Sequence, residues 1–381
     1  MSVEVERSIG IDYFRKFDYF LMGMVITISA FGLVFLHSAI YTLYEDGGSK
    51  ALTIQIVGII LGLIFSLIIC FFDYSNFKNI WPTFYLINIF LMLLVFVPGI
   101  GVDAGGSKSW IKLFGITTYQ PSELMKLAVI IVVAKYLEKI NEDGMQLKYV
   151  TIVFASFIIP LCLVFIQKDI GTALVFTFVF MVMLFVGRIK IKYISGLIGA
   201  GFIGIFFVWK FLLNNTRQQR FYAYLDPEKY AGTYGFQLLR GMQAIGSGQF
   251  SGKGIGEGPM NVANLIPVKE SDMIFAVICE EMGFIGGMFV IIIMTAFLIR
   301  MIYISSKSRD MFGSLIAAGV FAMFAFNIVE NIGMNVGIMP ITGLPLPLIS
   351  RGGSAMVTNF IAIGLVLSIS MRRRIGLFSD E

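Results

Sequence analysis

The chain has 381 residues, 57% hydrophobic and 14% charged, which is more apolar surface than one soluble core can bury. That composition excludes a soluble enzyme and predicts an all-α polytopic membrane protein. The net charge of +5 calls for no nucleic acid, because Lys and Arg at the cytoplasmic ends of the spans account for most of it.

In chain order, apolar runs long enough to cross a hydrocarbon layer roughly 30 Å thick lie near 18–39, 51–72, 82–99, 122–138, 148–166, 170–186, 193–213, 272–299, 312–335 and 353–371. They predict about ten transmembrane helices, each satisfying its own backbone polar groups, in a single domain over residues 1–381. The charged stretch 4–18 precedes the first run and no small-residue cleavage site follows it, so that run reads as a retained span and not a signal peptide. Alternating the spans collects most basic residues on one side, from Arg7 and Lys16 through Lys135, Lys190 and Arg300 to Arg374, against Lys50, Lys108, Lys112, Lys168 and Arg351 in the opposite short loops. Both termini are therefore expected in the cytoplasm. Two longer loops, about 100–121 and 214–270, fall outside it.

Several polar groups interrupt the apolar runs. Glu123 and Lys126 follow the helix start Pro121-Ser122 at a spacing of three, so they share a face and can neutralise each other in the membrane. A structural ion pair and the floor of a polar cavity open to the outside both fit. Asp169, between two runs, can cap the following helix while Lys168 snorkels outward. The glycine-rich stretch 246–258 has Ser247 and Gly254 where a nucleotide P-loop needs Gly and Ser or Thr, which excludes that reading. Its amides could still hold a diphosphate, with plain loop flexibility as the alternative.

Three carboxylates, Asp272, Glu280 and Glu281, open the next run. An ionisable side chain survives in a membrane helix where it is paired, wetted or working. Glu280 lies about 12 Å along the axis from Asp272, and Glu281 faces roughly the opposite way, so the three form no cluster. Asp272, at the outer mouth, is the candidate for chemistry, and the deeper two are expected to pair with other helices. Asn327, Glu330, Asn331 and Asn335 share one face of the ninth span, which should look into the bundle. Cys70, Cys162 and Cys279 share no metal spacing and are expected as buried free thiols. The one histidine, His37, leaves His-dependent nucleophiles and His-ligated zinc without their parts.

The chain resembles the SEDS proteins (RodA, FtsW, SpoVE), polytopic polymerases of bacterial peptidoglycan, over essentially its whole length. The motifs that carry the resemblance occur in order. They are Gly106-Ser107-Lys108-Ser109-Trp110-Ile111 with Gln120-Pro121-Ser122-Glu123; Asp169-Ile170-Gly171-Thr172-Ala173; Arg220 ahead of Leu225-Asp226-Pro227; and Tyr234-Gly235-Phe236-Gln237. Then come Ile245-Gly246-Ser247-Gly248 with Gly252-Lys253-Gly254; Ser271-Asp272-Met273-Ile274-Phe275-Ala276-Val277 with Glu280-Glu281-Met282-Gly283; and the run 340–350 with Gly352-Gly353-Ser354. The Ser122-Glu123-Leu124-Met125-Lys126 wording resembles the RodA branch. The chain departs from the family pattern at Val268, usually Glu, at Glu270, commonly His, at Lys168, usually Pro, and at Arg351, usually Tyr.

The resemblance implies a glycosyltransferase that polymerises lipid II at the outer face of the bacterial cytoplasmic membrane and releases undecaprenyl diphosphate. It implies Asp272 as the catalytic residue, Lys108, Trp110, Arg220, Gln237, Lys253 and Ser350 as substrate-binding, and Glu123 with Lys126 as an ion pair. Such a reaction asks for one base and a cationic cradle, because the diphosphate is already a good leaving group and needs no acid partner. Glycosidases differ in needing a second, protonated carboxyl. Asp272 would take the acceptor's proton while Arg220, Lys253 and Lys108 counter the diphosphate; a divalent cation, Mg2+ or Mn2+, is left open, and no metal site is assigned. The implied partners are a class B penicillin-binding protein and other membrane proteins of an elongation or division complex. A lipid-linked precursor flippase and a non-catalytic scaffold are the alternatives; a flippase would hold its working groups near the midplane.

Overall fold

The computed structural model describes residues 16–44, 47–104, 107–113, 117–207, 215–233 and 235–373. The first half of the bundle runs α1 (Tyr19–Tyr41), α2 (Ser49–Phe71), α3 (Phe77–Leu94), α4 (Pro121–Asp143), α5 (Leu147–Ile166), α6 (Ile170–Val186) and α7 (Ile191–Phe207). The long loop carries α8 (Asn215–Leu225), α9 (Phe236–Gly248) and the single turn α10 (Pro259–Val262). Then α11 (Ile274–Ser306), α12 (Met311–Asn335) and α13 (Gly353–Met371) close the bundle. Ten long helices thus coincide with the ten expected spans. Seven of the described helices, α1, α2, α3, α5, α11, α12 and α13, meet a membrane-crossing criterion of length and apolarity. The others fall short for plain reasons: α6 and α7 have 17 residues each, and α4 carries Lys135, Glu138, Lys139, Glu142 and Asp143 in its last turns.

Several boundaries differ from the sequence reading, α3 ending at Leu94 and α4 running on to Asp143 among them. The loop after α3 is not irregular but folds as a three-stranded antiparallel sheet, β1 (Gly101–Ala104), β2 (Ser107–Leu113) and β3 (Thr117–Tyr119), in the order β1-β2-β3. Helix α3 begins five residues before the expected span because Asp73 and the turn Tyr74–Asn76 start it; Pro82 inside it removes the bond that the Lys78 carbonyl would accept, and Lys135 Nζ donates to that carbonyl at 2.6 Å instead. Helix α11 runs to Ser306, and its φ and ψ are non-helical at Gly283 (65°, −158°). One thiol departs from expectation as well: Cys70 and Cys279 are buried, but Cys162 is exposed.

The bundle is organised around α12, which packs on α4, α6, α11 and α13. The closest pair is α2 with α13, where small residues let backbones meet. A Cβ on Gly58 would stand 2.9 Å from the Gly353 carbonyl oxygen, and one on Gly364 2.7 Å from that of Ser66. Ionic ties gather at the end where the chain enters α1. Asp18 caps α1 through Leu21 N (3.0 Å) and pairs with Arg300 at 2.9 Å; Glu138 pairs with Lys78 and accepts from Phe312 N at 3.2 Å. Asp73 faces Arg372 at 3.4 Å. These residues fall on the side to which the sequence assigned the basic excess.

Candidate active site

At the opposite end of the bundle, α11 starts late. Its N-cap is Met273 (φ −106°, ψ 22°), so Asp272 stands just ahead of the helix. Asn331 Nδ2 and Asn335 Nδ2 each donate to the Asp272 carbonyl oxygen at 2.9 Å, and Asn331 Nδ2 also reaches Leu344 O at 2.8 Å. The asparagine face of α12 thus looks into the bundle, as its spacing predicts. The Asp272 carboxylate accepts from Ser271 Oγ at 2.9 Å. Its second oxygen looks toward Gly343, where a Cβ would lie 3.4 Å away. Just upstream, Val268 holds φ 49°, a conformation that strains a β-branched residue, while its carbonyl accepts from Ser271 N and Met273 N at 3.2 Å. A bent, pinned segment therefore presents the half-buried carboxylate at the mouth of the bundle.

The segment 340–352 closes over this mouth. Ser350 Oγ donates to Ser271 O at 2.7 Å and accepts from Leu346 N at 2.8 Å, so this hydroxyl joins two backbone segments. Gln55 holds the same loop from α2, donating to Ser350 O at 3.1 Å and accepting from Gly352 N at 2.9 Å. Gln55 escaped the sequence reading, although a lone amide inside an apolar span was a legible signal. Two of the departures from the family pattern meet here. Arg351 N donates to Glu270 O at 2.8 Å, and the guanidinium lies 3.5 Å from the Glu270 carboxylate. Arg351 is thus partly neutralised by the other altered residue, and also reaches Tyr44 OH.

Beside the mouth, Lys126 is 2% exposed and pairs with Glu123 at 2.8 Å. Asp169 caps α6 through Thr172 N (3.0 Å) and accepts from Gln120 Nε2 at 2.7 Å. Burial pushes the Asp169 carboxyl up, and the nearby Glu123 adds to the rise while the Thr172 bonds and Lys126 oppose it. Burial and then Glu123 likewise raise the Tyr119 phenol. Glu123, with Asn327, Asn359, Ser350 and Arg351, lines a cavity of about 20 Å³, and Asn327 Oδ1 is buried there without a protein partner. The two form the expected ion pair, and Glu123 borders this cavity.

The other expected binding residues are spread around this end. Lys108 and Trp110 lie on one face of β2, opposite the buried Ser109 and Ile111; Lys108 is exposed, and its backbone N donates to Gln167 O at 3.1 Å. Gln237 borders a larger cavity of about 220 Å³ with Tyr224, Phe236, Pro267 and Ile341, and its Nε2 is buried without a protein partner. The Arg220 side chain lies outside the described residues, as does Tyr234. Lys253 is exposed, but its amide is not available to an anion, because Lys253 N and Gly254 N donate to Glu280 O and Glu281 O at 3.1 and 3.0 Å. At 252–254 the glycine-rich turn is therefore ordered by backbone bonds to its own chain and to α11. It docks backbone to backbone in the break of α11: a Cβ on Gly252 (φ 83°) would fall 2.1 Å from Glu281 O, and one on Gly283 2.4 Å from Gly252 N.

Glu280 and Glu281 do pair elsewhere. Glu280 accepts from Met260 N (2.7 Å) and Asn261 N (3.0 Å), and Glu281 from Asn261 Nδ2 (2.8 Å) and Ser38 Oγ. Lys269, fully buried, joins the cluster through Asn261 O (2.6 Å), Asn261 Oδ1 (2.7 Å) and Thr42 Oγ1 (3.0 Å). Burial brings its ammonium down to about 8 against the opposing pull of Glu270, Glu281 and Glu280. Among the described residues no three His, Cys, Asp or Glu side chains converge on a metal-sized site. The described residues around Asp272 thus offer a divalent cation no three-ligand protein cage. A carboxylate at a restrained backbone, with cavities alongside, can accept a proton from a bound hydroxyl.

A family model described as cell cycle protein, covering FtsW, RodA and SpoVE, matches residues 18–375. Stage V sporulation protein E of Bacillus subtilis (strain 168) is 33% identical over 368 residues, covering 94% of this chain and 98% of its own. A probable peptidoglycan glycosyltransferase FtsW of Geobacter sp. (strain M18) is 34% identical over 373 residues, covering 94% and 98%. A solved chain described under structural coordination of polymerization and crosslinking by a peptidoglycan synthase complex superposes with a TM-score of 0.77 at 26% identity, covering 93% of this chain and 97% of that one.

Proposed function

The chain belongs to the FtsW, RodA and SpoVE family, and on that premise we propose that it is a peptidoglycan glycosyltransferase that polymerises lipid II at the outer face of the bacterial cytoplasmic membrane. The observation that carries the reading is Asp272, a half-buried carboxylate whose main chain is fixed by two asparagines at the outer mouth of a membrane bundle. Relatives named as peptidoglycan glycosyltransferases support the reaction class.

In this reaction the 4-hydroxyl oxygen of the acceptor sugar bonds to the anomeric carbon of the donor as the bond from that carbon to the phosphate oxygen breaks. Undecaprenyl diphosphate leaves with the bonding pair, and the hydroxyl proton passes to the Asp272 carboxylate. A positioned base contributes roughly 10²–10⁴-fold to such a step. The exposed Lys108 and Lys253, with Arg220, supply the positive potential that favours the departing diphosphate. Arg351 contributes less than its charge suggests, since Glu270 faces it. The cavity beside Gln237 offers space next to the Asp272 segment for part of a sugar. The partner is a class B penicillin-binding protein that crosslinks the strands; a structural relative's description joins polymerization to crosslinking in one complex.

Purified protein incubated with lipid II should lengthen it into glycan strands and release undecaprenyl diphosphate, faster with a partner transpeptidase present. A flippase would move lipid II between leaflets and leave its length unchanged, which would sink the proposal.

A further inference from the structure

We infer that Asn335 is a positioning residue for Asp272, acting as an amide inserted into the first turn of α11; this rests on the reading of Asp272 as the base. In an uninterrupted helix the carbonyl of Asp272 would accept from the N–H of Ala276, four residues on. That bond is not made. Asn335 Nδ2 takes the Asp272 carbonyl at 2.9 Å, and Asn335 Oδ1 takes Ala276 N at 3.2 Å, so one side-chain amide stands between the two backbone groups and satisfies both. Ala276 N adds only a tighter bond to Met273 O at 3.1 Å.

The consequence is geometric. With the amide in place α11 cannot wind back over Asp272, and its carboxylate is held beside Ser271 Oγ and Gly343. Asn331, one turn earlier on α12, donates to the same carbonyl and to Leu344 O, and Asn335 Nδ2 bonds Asn331 O at 2.8 Å. The two amides tie the start of α11, α12 and the segment 340–352 together. Both side chains are fully buried, and neither touches the carboxylate. Their effect on chemistry is therefore exerted through the main chain of Asp272. Removing the amide at 335 leaves Ala276 N free to bond the Asp272 carbonyl, which winds α11 back by one residue and swings the carboxylate away from Ser271. Because the Ser271 hydroxyl stabilises the ionised form, its loss moves the base's titration upward.

Full-length protein reconstituted in lipid bilayers with lipid II tests this with the parent, Asn335→Ala, Asn331→Ala, Asp272→Asn and Ser368→Ala. Ser368 donates to Phe72 O at 2.6 Å at the far end of the bundle and serves as a control for lost buried hydrogen bonding. For Asn335→Ala the expected result is a kcat lower by on the order of ten- to a hundredfold, a KM nearly unchanged, and an acid limb of the pH–rate profile displaced to higher pH. Asn331→Ala, which removes one of the two donors, should show the same changes at smaller size and carries the test if Asn335→Ala does not accumulate. Parental kcat in both asparagine variants, or a loss that Ser368→Ala reproduces with the acid limb unmoved, overturns the inference. Parental turnover by Asp272→Asn would instead remove the base assignment beneath it.

Discussion

At Lys269 a single buried ammonium holds together the outer elements that flank Asp272. It binds Asn261 on α10 and Thr42 after α1, while Asn261 binds Glu281 on α11. The group's proton affinity gives a signed prediction. The unfolded chain keeps this proton up to about 10.5, whereas the fold gives it up near 8. Between those values the unfolded state binds more protons, so the contribution of Lys269 to stability grows as pH rises through the window and is flat below it. Melting midpoints of the parent measured against Lys269→Met should therefore diverge in the parent's favour from about pH 8 upward; a constant difference from pH 7 to 10 would contradict it. Nothing in the sequence marked Lys269, because its partners lie at positions 42 and 261 and burial, not residue type, sets its chemistry. Asp272 was legible for the opposite reason: a carboxylate entering an apolar run is conspicuous without knowledge of its contacts.

Among the elements, α11 shows how one break can organise a loop. Gly283 adopts φ 65° and lets the turn after α9 dock against the helix, with Phe284 N and Ile285 N donating to Gln249 O (2.8 Å) and Phe250 O (3.3 Å). Gly283→Ala places a methyl carbon 2.4 Å from Gly252 N in a conformation that L residues avoid. The backbone conformation alone costs roughly 1–3 kcal/mol, and the overlap adds to it. The variant should melt well below the parent and accumulate poorly; an unchanged midpoint would show that the break is not needed. The spacing of glycines in 246–258 was visible, but their use was not, since a turn that grips an anion and a turn that grips a helix need the same residue. The small sheet after α3 was missed because its strands are three to seven residues long, too short for a period-2 pattern to stand out.

Over the whole molecule, hydropathy placed the ten helices because lipid demands long apolar segments with internally satisfied backbones. The ionic ties Asp18–Arg300 and Lys78–Glu138 fall at one end of the bundle, and Asp272 with its asparagines at the other. This polarity follows the charge bias read from the loops. Less was legible about how the site is assembled: the Ser350 hydroxyl joins Ser271 to Leu346, and the Arg351 guanidinium faces Glu270, contacts that no motif announces. A motif records which residues matter without recording whether they touch substrate or backbone. The most direct measurement is polymerisation of lipid II by Asp272→Asn, a change that preserves volume and removes only the basic carboxylate. The account predicts a rate lower by roughly 10²–10⁴-fold in a protein that accumulates and melts like the parent; strands formed at the parental rate would contradict it.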